Sequence, residues 1–274
     1  MNRIDAAFRR ARAAKAAAFM PFLTAGDPDL ETTAAIIEEV CRRGADIVEL
    51  GIPFSDPIAD GPTIQESFSR ALGHGIKVKA VFEMVRGLRQ RCDIPLLTMV
   101  SFSIVSRLGP EKYFADASAA GVDGVIIPDL PADEGRSIAR LAESNRLHPV
   151  FLVAPTTPPE RMGDIARASR GFIYYVSVAG TTGARAELPP DLAEHIAKLK
   201  AVTDKPVAVG FGVSRPEQVR MIAQIADGVI VGSAIVRKIA ELSASPQAEM
   251  VKRVGDFVAE LSAAKTKATG AGLT

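Results

Sequence analysis

The sequence predicts a single (β/α)8 barrel, the TIM-barrel class of α/β fold, with an extra helix at its amino terminus. Two observations lead to this fold class: short apolar runs alternate with amphipathic helical patterns, and the runs number eight. Alternating strands and helices form a parallel sheet, and eight such units in about 250 residues are the number that closes a barrel. An open doubly wound sheet is the alternative, but no GxGxxG sequence follows the first run.

The first predicted element is the extra helix. Ile4, Ala7, Phe8 and Ala11 recur at helical spacing, and the segment leads directly into an apolar run. We therefore expect this helix to cover one end of the core. The arginine excess of the same segment also resembles an organelle transit peptide, which is the alternative interpretation.

Eight apolar runs predict the strands. Their apolar character is continuous rather than alternating, as in parallel strands that are covered on both faces. The runs are Phe19 to Leu23, Ile47 to Leu50, Pro95 to Met99, Gly124 to Ile127, Val150 to Val153, Phe172 to Val176, Val207 to Val209 and Gly228 to Val231.

Amphipathic stretches between these runs predict the helices, and proline at the start of several fits its preference for the first helical turn. The stretches are Leu30 to Arg43, Val78 to Arg91, Pro110 to Ala120, Ala132 to Asn145, Pro159 to Ala168, Pro190 to Ala201 and Pro216 to Ile225. One domain is expected over residues 1–264. The segment 265–274 lacks periodicity and is expected to be a disordered tail.

Composition excludes several classes of function. The 33 Lys and Arg residues balance 32 Asp and Glu residues, so no basic field is available for nucleic acid. No apolar run approaches the length of a membrane span, and we expect a soluble, cytoplasmic protein. Cys41 and Cys92 fit no metal-ligand spacing and are expected to be buried or half-buried thiols. The histidines, His74, His148 and His195, are interpreted as structural or solvated, so neither a metal site nor a histidine-based triad is expected.

Acidic residues follow the second run, where the ends of barrel strands carry the active site. Glu49 interrupts the apolar end of that run, and Asp56 and Asp60 lie in the Pro/Gly-rich loop after it. A desolvated carboxyl group has a raised pKa that suits proton transfer near neutral pH, so Glu49 is a candidate general acid and base. A structural ion pair for Glu49, an Asx turn for Asp60 and a solvated loop charge for Asp56 are the alternatives.

Glycine-rich turns follow the last two runs, in the position where barrels bind phosphate. Gly210 and Gly212 follow the seventh run, and Gly232 and Ser233 follow the eighth, just before a short helix from Ala234. Glycine allows the backbone to approach a ligand, and helix-opening amides attract an anion. Ordinary strand-to-helix turns are the alternative.

A long loop of small residues follows the sixth run and contains Gly180, Thr181, Thr182 and Gly183. Its composition suits a lid over a bound substrate. A simple exposed connection is the alternative.

Six ordered segments resemble the tryptophan synthase α chain family. They are ELGIPFSDPIADGPTIQ from Glu49, MPFLTAGDPD from Met20, GVDGVIIPDLP from Gly121, AGTTGA from Ala179, GFGVS from Gly210 and GSAIV from Gly232. The resemblance implies a lyase of tryptophan biosynthesis that splits indole-3-glycerol phosphate into indole and glyceraldehyde-3-phosphate by retro-aldol cleavage, without a cofactor of its own. It implies that Glu49 moves protons at indole C3 and at the glycerol hydroxyl, while Asp60 stabilises the positive indole nitrogen.

The resemblance also implies binding roles. Phe22, Tyr174 and Phe211 would line the indole pocket, and Gly183, Gly212, Gly232 and Ser233 would hold the phosphate. Thr182 would hydrogen-bond Asp60 when the lid closes. Pro53, Phe54, Asp56 and Pro57 would face a β subunit that carries pyridoxal phosphate, in an α2β2 complex.

One segment departs from the family pattern. Members carry a YxNP-like sequence after the third strand, whereas this chain has Ser101, Phe102, Ser103 and Ile104. A changed pocket shape and a changed partner contact are expected there. A stand-alone lyase that releases indole, and a subunit that mainly activates its partner, are therefore alternative functions.

Overall fold

The structure, a computed structural model, describes residues 1–57, 60–176, 189–210 and 212–267. Parallel strands form one nearly closed barrel, and this confirms the predicted TIM-barrel fold. The strands are β1 (Ala18–Thr24), β2 (Val48–Gly51), β3 (Leu96–Met99), β4 (Gly124–Ile126), β5 (His148–Val150), β6 (Leu152–Val153), β7 (Ile173–Val176), β8 (Val207–Gly210) and β9 (Gly228–Val231).

The barrel has eight strand positions because β5 and β6 are two parts of one strand. Only Phe151 separates them, and β5 pairs with β4 while β6 pairs with β7. The Phe151 N–H donates to Ser169 Oγ at 3.2 Å, outside the strand ladder. β1 pairs with both β2 and β9, which joins the two halves of the ring.

Helices surround the barrel and follow most of the predicted stretches. They are α1 (Arg3–Ala13), α2 (Leu30–Arg42), α3 (Pro62–Gly73), α4 (Val78–Leu88), α5 (Phe102–Leu108), α6 (Pro110–Ala120), α7 (Arg136–Ser144), α8 (Pro159–Ala168), α9 (Leu192–Ala201), α10 (Pro216–Ile225), α11 (Ser233–Glu241) and α12 (Gln247–Ser262). The predictions for α6, α8 and α10 agree with the observed bounds. α3, α5 and α12 were not predicted; α3 follows the loop after β2, and α5 follows β3, at the mouth of the barrel.

The amino-terminal helix closes the bottom of the barrel. Ile4, Ala7, Phe8 and Ala11 are all buried, as their spacing predicts. They pack against barrel-interior side chains, and the rings of Phe8 and Phe172 lie 5.4 Å apart. The base is therefore sealed by apolar packing, and the opposite end of the barrel holds the polar residues.

The chain after α12 remains attached to the fold. Lys265 Nζ lies 2.6 Å from Asp46 Oδ2, and the Lys265 carbonyl accepts from the Ala17 N–H at 3.0 Å. The Lys267 N–H donates to the Lys15 carbonyl at 2.9 Å. The folded part thus extends at least to Lys267, three residues beyond the predicted boundary, and residues 268–274 lie outside the described chain.

Two of the histidines make side-chain contacts that join elements of the fold. His148 Nε2 lies 3.0 Å from Asp5 Oδ2, and His195 Nδ1 lies 2.9 Å from the Tyr175 hydroxyl. Cys41 is half-buried and Cys92 is buried, and both are free thiols. None of the described helices is long and apolar enough to cross a membrane.

Candidate active site

Glu49 lies inside the barrel on β2, in register with Phe22 of β1 and Leu97 of β3. Its side chain is 2 % exposed, and its Oε1 has no hydrogen-bond partner among the described residues. No described cation forms a salt bridge with it, which argues against the structural ion pair. Burial raises the pKa of Glu49 to about 8, and the nearby charge of Asp60 adds to the rise.

Asp60 lies at the end of the loop that follows β2. The Gln65 side chain of α3 donates to the Asp60 carbonyl at 2.7 Å and fixes the backbone. An Asx turn needs an N–H two residues later, and Pro62 has none, so that alternative is excluded. Burial raises the pKa of Asp60 to about 6, and the charge of Asp129 adds to the rise.

The two carboxyl groups therefore differ in ionisation at neutral pH. Glu49 is mostly protonated and can donate a proton, whereas Asp60 is mostly ionised and can accept a hydrogen bond or stabilise a cation. Neighbouring titratable groups whose pKa values are pushed apart by their surroundings are typical of an acid and base pair.

Aromatic side chains lie beside these acids. Burial raises the pKa of the Tyr174 phenol well above its usual range, and the charges of Glu49 and Asp60 add to the rise, so all three groups share one space. A Cβ atom at Gly210 would lie 2.7 Å from the Tyr174 hydroxyl oxygen, and one at Gly51 would overlap Phe22 Cζ. Only glycine at these two positions leaves room for the rings. Phe211, the third predicted pocket residue, lies outside the described residues.

The glycine-rich turns reach the same mouth. Gly210 ends β8, and Gly232 lies between β9 and α11, where a Cβ atom would be 3.6 Å from Phe22 Cβ. Ser233 begins α11, and the first amides of a helix have no carbonyl partner within it. These amides can donate hydrogen bonds to an anion beside the aromatic side chains, and Gly212 follows β8 on the same side of the barrel. Thr182, Gly183 and the predicted lid fall in residues 177–188, outside the described residues.

Comparisons with known proteins show the family of the chain. The sequence profile of a family described as "Tryptophan synthase alpha chain" matches residues 8–266. The chain belongs to the tryptophan synthase alpha chain family. The alpha chain of Caldanaerobacter subterraneus subsp. tengcongensis is 44% identical over 261 residues, covering 95% of this chain and 98% of that protein.

Solved structures of tryptophan synthase share the fold. A Mycobacterium tuberculosis tryptophan synthase chain aligns with a TM-score of 0.88 at 37% identity, covering 97% of this chain and 99% of that one. A chain of the Pyrococcus furiosus tryptophan synthase complex gives a TM-score of 0.82 at 38% identity, covering 90% of this chain and 98% of that one.

A cavity of about 530 Å³ opens at the barrel mouth beside Asp60. Its wall includes the loop after β2, the turn after β3 and the segment after β4. Residues that line it include Phe54, Asp56, Pro57, Asp60, Met99, Ser101 and Asp129. Of the predicted partner-facing residues, Phe54, Asp56 and Pro57 line this cavity and Asp56 is exposed, whereas Pro53 is buried.

Asp129 is the mouth residue that sequence reasoning missed. It lies three residues after β4, in the PDLP sequence, and its charge acts on Asp60. The available signal was its position, because polar residues just after barrel strands face the site. No motif separated it from an ordinary loop aspartate.

Proposed function

We propose that this chain is a lyase subunit that cleaves indole-3-glycerol phosphate into indole and glyceraldehyde-3-phosphate. The observation that carries the proposal is a pair of acids that differ in ionisation, the buried Glu49 and the half-buried Asp60, in one mouth that also holds aromatic side chains and a glycine-rich turn. These features match the three parts of the substrate: the reacting bond, the indole ring and the phosphate.

The acids divide the chemistry between them. The protonated Glu49 donates to indole C3, which becomes tetrahedral while positive charge develops on the ring nitrogen. The Asp60 carboxylate stabilises that N–H cation. Glu49, now ionised, takes the proton of the glycerol hydroxyl. The bond from C3 to the glycerol carbon then breaks, its electron pair returns to the indole ring, and the released carbon becomes an aldehyde.

Substrate binding uses the rest of the mouth. Phe22 and Tyr174 pack against the indole ring, and the turns at Gly210, Gly212 and Gly232 with Ser233 bind the phosphate through backbone amides. Holding both ends of the substrate fixes C3 relative to Glu49, which supplies the orientation that the reaction needs. Each proton transfer uses a protein carboxyl group, so the chain requires neither metal nor organic cofactor for this step.

The partner in the proposal is a tryptophan synthase β subunit, in an α2β2 complex, which receives indole and carries the pyridoxal phosphate. Solved relatives include a tryptophan synthase complex, which supports such a partner. The exposed carboxylate of Asp56 and the adjoining Phe54 and Pro57 are the proposed contact surface.

The test measures cleavage of indole-3-glycerol phosphate by the natural chain and by Glu49→Gln. The substitution keeps the size and removes the ionisable group, so the cleavage rate should fall by at least about 100-fold with folding intact. Glu66→Gln on α3, where the glutamate is exposed, is the matched control and should leave the rate unchanged. Equal rates for the natural chain and Glu49→Gln would eliminate Glu49 as the proton donor.

Adding a β subunit to the same assay separates the alternatives. The proposed subunit is stimulated by the partner. High turnover without the partner would favour a stand-alone lyase, an alternative that the altered segment at Ser101 suggests. No turnover in either condition would favour a subunit that only activates its partner.

A further inference from the structure

Asp129 links two of the strand ends that form the mouth. Its carboxylate accepts a hydrogen bond from Ser101 Oγ at 2.7 Å. It also accepts from the Phe102 N–H, at 2.8 Å to Oδ1 and 3.0 Å to Oδ2. Because Phe102 begins α5, this carboxylate caps the first turn of that helix. The turn that departs from the family pattern is thus built around Asp129.

The same carboxylate faces the mouth cavity. The described residues that line this cavity include three acids, Asp56, Asp60 and Asp129, and no Lys, Arg or His. Its other walls are largely apolar, with Phe54, Met99 and Pro128 among them. Asp56 and Asp129 are exposed, so solvent weakens their charges, whereas Asp60 is half-buried beside the apolar walls and its charge is screened less. The cavity therefore favours a ligand that becomes positively charged.

We propose that Asp129 is a positioning residue for the cleavage reaction. It fixes the Ser101 turn in place and keeps a second negative charge beside Asp60, so that the cationic indole is stabilised by two carboxylates rather than one. This proposal rests on the proposed function.

The negative charge of Asp129 is expected to raise the pKa of Asp60. Among the described residues, the titratable groups that face Asp60 are Glu49 from β2, Tyr174 from β7, Asp129 from the segment after β4, and Asp56 on its own loop. Burial is the larger cause of the raised pKa of Asp60, and the Asp129 charge is the next. Removing that charge lowers the pKa of Asp60 from about 6 toward its ordinary 3.8.

The experiment compares Asp129→Asn with Ser101→Ala in the full chain. Asparagine is isosteric and can still accept from the Phe102 N–H, so it removes the charge and keeps the turn. Ser101→Ala keeps the charge and removes one hydrogen bond. The acid limb of kcat/KM should move to lower pH by about 0.5 to 1 unit in Asp129→Asn and stay in place in Ser101→Ala. The kcat/KM of Asp129→Asn at neutral pH should fall about tenfold.

A second measurement does not use substrate. The Asp60 carboxyl carbon is titrated by ¹³C NMR in the free proteins, and its midpoint should be lower in Asp129→Asn than in the natural chain. This result would stand even if the natural chain failed to cleave indole-3-glycerol phosphate, which would refute the proposed function alone. Asp129→Ser serves as a second charge-removing variant if the asparagine variant does not fold.

Two outcomes would overturn the proposal. One is an Asp60 midpoint that is the same with and without the Asp129 charge. The other is an equal loss of kcat/KM in Asp129→Asn and Ser101→Ala with an unmoved acid limb, which would reduce Asp129 to a support for the turn.

Discussion

Glu49→Gln should stabilise the folded chain at alkaline pH, although the same substitution abolishes the proposed cleavage reaction. Burial raises the pKa of Glu49 from 4.5 to about 8 in the folded chain, whereas the unfolded chain keeps the ordinary value. A carboxyl group whose pKa is raised on folding contributes stability below the unfolded pKa, and this contribution is lost as the pH rises toward the folded pKa. The natural chain therefore loses stability between about pH 4.5 and 8, and glutamine, which has no charge to bury, does not.

The magnitude follows from the shift. One pKa unit corresponds to about 1.4 kcal/mol, so a change from 4.5 to about 8 gives a difference of about 4 kcal/mol between pH 5 and pH 8.5. Glu49 is fully buried, so solvent screening does not reduce this figure. The difference is large against the 5–15 kcal/mol that stabilises a typical domain.

Urea unfolding of the natural chain and of Glu49→Gln, at pH 5 and at pH 8.5, measures this difference in the free energy of unfolding. The free energy of unfolding of Glu49→Gln, minus that of the natural chain, should rise by about 4 kcal/mol from pH 5 to pH 8.5. The exposed Glu66→Gln should show no such rise. A difference that stays constant between the two pH values would show that Glu49 ionises normally, and the assignment of Glu49 as a neutral acid would fail.

Other predictions concern packing. Arg89→Gln should cost about 2–3 kcal/mol in urea unfolding, because the buried Asp123 carboxylate loses the guanidinium at 2.8 Å and keeps only that of Arg3 at 3.0 Å; a cost below about 0.5 kcal/mol would show that the pair is solvated. Gly87→Ala should stabilise α4 by about 0.5–1 kcal/mol, since a Cβ atom there meets open space, and a lower midpoint in the same assay would contradict this. Gly210→Ala should lower kcat/KM by displacing Tyr174, whose hydroxyl lies 2.7 Å from the new Cβ; unchanged kinetics, as expected for Gly87→Ala, would show that the ring can move freely.

The barrel could be predicted from sequence because each strand is a continuous apolar run with a periodic helix after it. The fifth run, Val150 to Val153, was predicted as one strand, and the structure divides it at Phe151, whose N–H bonds Ser169 while its carbonyl still accepts the Tyr174 N–H of the next strand. The helix predicted from Ala132 begins at Arg136, since a turn at Pro131–Gly135 intervenes, in which the Gly135 N–H donates to the Pro131 carbonyl at 2.8 Å. Periodicity alone cannot place such a turn.

The mouth was harder to predict than the barrel. Ile64, Phe68 and Ala71 have helical spacing and are buried in α3, but the Pro/Gly-rich segment before them indicated a loop. α5 is short, and its first residue, Phe102, donates a backbone hydrogen bond to the Asp129 carboxylate, 27 residues away in the chain. A local sequence pattern carries no information about this long-range contact.

The sequence indicated the ionisation behaviour of Glu49 in kind, but the extent of the pKa shifts of Glu49 and Asp60 could not be predicted. The position of Glu49 at the end of an apolar run indicated a desolvated carboxyl group, and the structure shows its burial and the absence of a partner for Oε1 among the described residues. The separate pKa values of Glu49 and Asp60 depend on how closely the two groups and Asp129 lie in space, which the sequence does not state.

The dependence of kcat/KM on pH, for cleavage of indole-3-glycerol phosphate, tests most directly whether Glu49 and Asp60 act in opposite protonation states. The profile is corrected for the ionisation of the substrate phosphate, measured by ³¹P titration, because kcat/KM otherwise reports both free enzyme and free substrate. We expect a bell-shaped profile in which kcat/KM falls below about pH 6, where Asp60 gains a proton, and above about pH 8, where Glu49 loses its proton. A rate that keeps rising through pH 9, or that is constant from pH 5 to pH 7, would contradict it.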